Sequence, residues 1–136
     1  MSKETNTAAQ QAFGEAVNTG DLEALHGLVA DGKVDHDPAP GQVDGPAGFV
    51  AFFDEMRTAF PDLHVEVEHL VADDDNVAFA YTLTGTHEGV FQGHEPTGKS
   101  FAVRGVQISK FDGDAKLVER WGSTDEAGIM SQLGLT

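Results

Sequence analysis

A chain of 136 residues is the size of one domain, long enough to bury a core and too short to divide in two. With 23 acidic residues against 8 basic ones, its formal charge of −15 repels phosphate backbones and anionic lipid, so neither nucleic acid nor a membrane is expected as a partner. Cysteine is lacking, which removes disulfides and thiolate chemistry, and neither a spanning block nor a secretory signal is seen, so a cytoplasmic location is expected.

Residues 5–17 place Ala9, Ala12, Phe13, Ala16 and Val17 at helical spacing and predict an amphipathic helix ending before Asn18-Thr19-Gly20. Asp21 then stands as an N-cap for a second, short helix carrying Leu22, Leu25, Leu28 and Val29, closed by Asp31-Gly32. A short strand over 33–37 is stopped by Pro38. Gly45-Pro46 starts a third helix whose apolar face is Phe49, Phe52, Phe53, Met56 and Phe60.

From Leu63 the period becomes two, with Leu63, Val65 and Val67 opposite His64, Glu66 and Glu68. An acidic turn at 73–76 leads to a strand over 77–87, with Val77, Phe79, Tyr81 and Leu83 on one face and Ala78, Ala80 and Thr82 on the other. After a glycine-punctuated loop, strands over 100–111 and 116–123 are joined by Asp112-Gly113-Asp114. Ser123 and Glu126 have capping-box spacing ahead of a last helix bearing Ile129, Met130 and Leu133. The order predicts an α+β fold with an antiparallel meander.

Curved over amphipathic helices, such a sheet encloses a cone, and the small residues Ala78, Ala80, Gly105 and Gly122 leave space inside it. Phe52, Phe53 and Trp121 make that interior apolar, whether they contact a ligand or simply fill it. His64 and His69 fall on opposite strand faces and cannot share a metal, and the acidic turn lacks the glycine and distant glutamate of a calcium loop. Neither a phosphate-cradling glycine loop nor a nucleophilic serine elbow is found.

The run Ala59-Phe60-Pro61-Asp62, then Gly85-Thr86-His87 with Phe91, Gly93 and Pro96-Thr97-Gly98-Lys99, then Trp121, Asp125 and Gln132-Leu133-Gly134 resembles the SnoaL-like polyketide cyclases and predicted ester cyclases of the NTF2-like superfamily. That resemblance implies an NTF2-like cone, a homodimer formed through the sheet, a small-molecule ligand, and catalysis without metal or cofactor. It also implies an aspartate just past the last strand as acid and base, a position that Asp125 occupies, and His36 before Pro38 as a second catalytic candidate. Pocket candidates are Phe53, Met56, Trp121, and one of Arg104 and Gln107, which lie on opposite faces by parity. His87 is expected to hold its loop through a backbone hydrogen bond. The chain departs from the characterised cyclases in lacking a histidine between Lys99 and Asp125.

The expected function is therefore acid/base chemistry on a small apolar carbonyl or ester compound. Its alternatives are a non-catalytic module that holds a ligand or dimerises, and an epoxide hydrolase on the same frame.

Overall fold

The structure is a computed structural model and describes residues 2–135. Helix α1 (Lys3–Thr19) begins earlier than the apolar stripe suggests, because Ser2 caps it: its hydroxyl accepts from the Thr5 amide while the Thr5 hydroxyl accepts from the Ser2 amide. A 3-10 turn (Leu22–Ala24) and α2 (Leu25–Leu28) follow. The expected second helix stops short at Leu28. Val29 is extended, buried and paired with Leu117, so strand β1 (Val29–Asp35) takes up Asp31 and Gly32, the residues expected to end a helix. Helix α3 (Pro46–Ala59) starts at its proline as expected.

Strands β2 (His64–Ala72), β3 (Asn76–Thr86), β4 (Ser100–Phe111) and β5 (Leu117–Thr124) form the antiparallel meander, and β1 adds to it parallel to β5, giving the order β1-β5-β4-β3-β2. Burial alternates without a break along β3 and β4. A bulge at Glu68 shifts β2 by one residue, so that Val65, Val67 and Leu70 all share the inner face with Leu83, Tyr81 and Phe79. Ala78 and Ala80 pair with Ile108 and Val106 on the outer face, and so cannot open space in the interior as the sequence suggests.

The helices are tied down at particular atoms. The Asn18 amide both accepts from the Val65 N–H and donates to its carbonyl, and Arg57 donates to the carbonyls of Val17, Asn18 and Leu63, locking the end of α1 to β2 and α3. Nearer the start of α1, Asn6 donates to the Asp73 carbonyl. Helix α4 (Glu126–Gln132) extends past the end of β5, where Gln132 satisfies both backbone groups of Ala102. Among the described residues no helix is long and apolar enough to cross a membrane.

The sequence motifs meet at one corner. The Asp62 carboxylate accepts from the Thr86 amide and hydroxyl; its slight burial would raise its pKa, but these bonds hold it below the usual carboxylate value. Phe60 packs against His87, Phe91 and Phe101, while Nδ1 of buried His87 accepts from the Thr97 amide. These residues fasten the 87–99 loop to the end of α3, which Glu88 and Gly89 reinforce by donating to the Ala59 carbonyl.

Lys33 is the anomaly of the core, 2% exposed with its ammonium 3.7 Å from the centroid of the Phe49 ring. Desolvation lowers its pKa from 10.5, Arg120 adds to that effect, and Asp35 and Asp44 oppose it. The folded chain thus binds fewer protons here than the unfolded chain, and stability should climb as pH rises from the lowered pKa toward 10.5. Lys33→Met should abolish that climb and stabilise the fold near neutrality by about 1 kcal/mol, measured by urea unfolding across pH.

Candidate active site

Between the inner face of the sheet and the helices lies a cavity of about 660 Å³. Helix α1 contributes Gln10 and Asn18, α3 contributes Phe52, Phe53 and Met56, and the loop adds Phe91. The sheet supplies Phe79, Tyr81, Gln107 and Thr124, and Glu126 stands at the start of α4. Most of the wall surface is apolar, with Thr7, Gln11, Glu15 and Gln92 adding to the polar groups on it.

Their placement follows from cross-strand rows. One inner row runs Val67, Tyr81, Gly105, Thr124; the next runs Leu70, Phe79, Gln107, Gly122; a third runs Ala72, Val77, Ser109, Arg120, Asp35. Two of these positions are glycine, and both are filled by a neighbour. The phenol of Tyr81 lies over Gly105 and its hydroxyl bonds the Thr124 hydroxyl; a Cβ at Gly105 would collide with that ring. The Arg120 guanidinium lies over Gly122, where a Cβ would likewise collide.

From there Arg120 Nε donates to Gln107 Oε1 at 2.8 Å, and its Nη1 meets Asp35 at 3.0 Å. Gln42 donates to the other Asp35 oxygen. Burial would raise the Asp35 pKa, but the Gln42 bond and the Arg120 charge outweigh it and hold the carboxyl below its ordinary value. Since Gln107 Oε1 is engaged by Arg120, the amide orientation is fixed; one N–H goes to Ser109 Oγ, and the other has no partner among the described residues.

Of the seven residues expected at the site, Phe53, Met56 and Gln107 line the cavity. The other four are elsewhere. Arg104 is even-numbered on β4 and faces outward, in a shallow depression shared with Glu68, Ser123 and Asp125. Trp121 is on the outer face of β5, stacked at 4.6 Å on His36, whose Nε2 lies 3.3 Å from Glu119. The Asp125 side chain is exposed and accepts from the Gly128 amide at 2.8 Å, so it, rather than Ser123, caps α4, and it does not line the cavity.

The SnoaL-like polyketide cyclase model matches residues 7–133. The chain belongs to the SnoaL-like polyketide cyclase family. Among solved structures it is similar to IdmH of Streptomyces antibioticus, a candidate polyketide cyclase, at 30% identity and a TM-score of 0.83, covering 95% of this chain and 98% of that one. AclR of Streptomyces galilaeus, a candidate hydroxylase, is 29% identical with a TM-score of 0.85 over 98% of both chains. TsrD of Streptomyces laurentii, at 22% identity and a TM-score of 0.89, covers 100% of this chain and 99% of that one and shares the fold. No curated protein matches.

Within this SnoaL-like frame, the sequence reading did not single out Tyr81, Thr124, Glu126 and Gln10 as cavity residues. Tyr81 could have been found from the alternation of β3, and Thr124 from extending β5 by one residue; Glu126 and Gln10 depend on how helices dock and leave no local signal. Replacing Asp35 by Asn should free Arg120, cost about 2 kcal/mol in denaturant unfolding at pH 7, and flatten the loss of stability that the native chain shows as pH falls from about 4 through the lowered Asp35 pKa.

Proposed function

We propose that this chain is an acid/base enzyme that closes a ring, or moves a proton, in a small and largely apolar carbonyl or ester compound held in the cavity. One observation supports it above others: Glu126, exposed at the start of α4, the Tyr81–Thr124 hydroxyl pair and Gln107 all line a single, largely apolar hollow, which Asp125 does not. Glu126 removes a proton from the carbon next to a carbonyl, and the enolate oxygen is held by the hydroxyl pair and the Gln107 N–H. In an aldol closure the enolate carbon attacks a second carbonyl of the same molecule, one carbon–carbon bond forms, and the alkoxide recovers the proton from Glu126. IdmH, with its cyclase description, is consistent with that reaction. Asp125, implied by the resemblance, is replaced in this role by its neighbour because its own carboxylate caps α4.

Exchange of the α-protons of β-keto esters in D2O, followed by NMR, tests the base without knowledge of the product. Glu126→Gln should slow exchange by about 100-fold and Tyr81→Phe by at least about tenfold, while Asp125→Asn, which keeps the cap, stays within about twofold. Equal exchange by native and Glu126→Gln protein removes Glu126 from the chemistry. Binding of the ester without catalysed exchange would favour a ligand-holding module.

The homodimer expected from the resemblance is supported by the outer face. There Val71, Ala78, Ile108 and Trp121 form one row across β2 to β5, extended by His36, just past β1, stacked on Trp121; Val106 lies beside it, and Val106 and Ile108 remain 58% and 44% exposed. A second copy laid on this band buries it symmetrically. Light scattering should give a dimer for the native chain and a folded monomer for Ile108→Lys; a native monomer at micromolar concentration sinks the dimer.

A further inference from the structure

Helix α1 buries two amides one turn apart, Asn6 at 0% and Gln10 at 4% exposure. Residues four apart share a helix face and lie within reach of one another. Among the described residues, Asn6 Oδ1 and Gln10 Oε1 are both buried with no hydrogen-bond partner. An orphaned buried carbonyl costs about 1–3 kcal/mol, so two adjacent acceptors are a conspicuous expense in a helix with nothing else to gain there. Asn6 cannot turn to relieve it, because its Nδ2 is committed to the Asp73 carbonyl at 3.2 Å.

Among the described residues no hydrogen bond holds the Gln10 amide, and Gln10 lines the cavity. A half-turn of its amide exchanges Nε2 for Oε1, and at a spacing of four residues on one helix face this offers an N–H within reach of Asn6 Oδ1 and frees Oε1 for the hollow that Gln10 lines. The first orphan is then satisfied within the protein, and the second awaits a donor in the cavity. The position of that donor is bounded. Bonds from Asn6 to Asp73 and from Asn18 to Val65 fix α1 along β2, so Gln10, one turn past Asn6, lies between those two ties, in a cavity that Leu70, Phe79 and Gln107 also line.

We infer that Gln10 is a specificity residue, whose amide turns to accept a hydrogen bond from a hydroxyl, phenol or enol O–H on the side of the ligand that meets α1. This rests on the reading of the cavity as a ligand site and deepens it, without using the acid/base step. The compound it selects is an apolar body with an O–H donor facing Gln10, across the hollow from the hydroxyl pair and Gln107. A methyl ether at the same place finds a carbonyl it cannot bond, or forces the amide back to the orientation that orphans both oxygens.

The test is calorimetric binding of 2-hydroxyanthraquinone and of 2-methoxyanthraquinone, which differ in that donor. The native chain should bind the hydroxy compound about fivefold or more tightly than the ether, the worth of one hydrogen bond. Gln10→Leu and Gln10→Met should erase the preference, bind the ether at least as well as the native chain does, and melt no lower than it, since each removes an unpartnered amide. A preference unchanged in both variants overturns the inference. So does a lowered melting temperature in both, which would mean that water already partners the amide. If neither compound binds the native chain, the cavity reading fails and Gln10's role with it; if the preference holds but Glu126→Gln leaves proton exchange intact, the acid/base reading fails alone.

Discussion

Side chains on β3 and β4 alternate without interruption, and every group inside the hollow depends on which half of each strand faces in. On these two strands the odd-numbered residues form the wall, most of them large, and the inner rows lack side chains at Gly105 on β4 and at Gly122 on β5. Those two vacancies let side chains from neighbouring positions lie flat across the sheet. A tyrosine thereby reaches a threonine two strands away, and an arginine reaches a glutamine. The polar chemistry of the cavity is thus made by missing side chains as much as by present ones, and alanine at either position would undo it through sterics alone.

The charged groups follow a second logic. Asp35 and Arg120 sit behind the cavity wall, where a paired charge contributes little net stability against the cost of leaving water. What the pair supplies is direction. An amide has two nearly identical ends, and an arginine bonded to the oxygen of Gln107 decides which end the ligand meets. Gln10 is the contrasting case: among the described residues nothing bonds its oxygen.

The fold was readable from the chain because its signals are local and mutually consistent. Period-two runs from Leu63 onward, the proline start of α3 and the acidic and glycine turns each point to the observed element. The end of α2 was not readable, since a helical stripe through Val29 yields to pairing with Leu117, a partner 88 positions away, a separation given by 117 minus 29. The site was less legible for a definable reason. On β4, Phe101 and Val103 argue for an odd inner face while Val106 and Ile108 argue for an even one, because the outer face is apolar too. Arg104 and Gln107 could not be separated until the register was seen. Trp121 was expected inside but stands on the outer face of β5, stacked on His36; His36 and Asp125 came from resemblance alone, and neither lines the cavity.

The fastening of α1 is uneven along its length. At its C-terminal end it is held by a two-way amide bridge to Val65 and by the Arg57 fork, whereas nearer its start one bond from Asn6 to the 73–76 turn does the holding. Segments open most readily where the fewest bonds must break. The first turns of α1 are thus the part of the helix that can leave the sheet with the fewest side-chain hydrogen bonds broken, while Asn18 and Arg57 hold its other end.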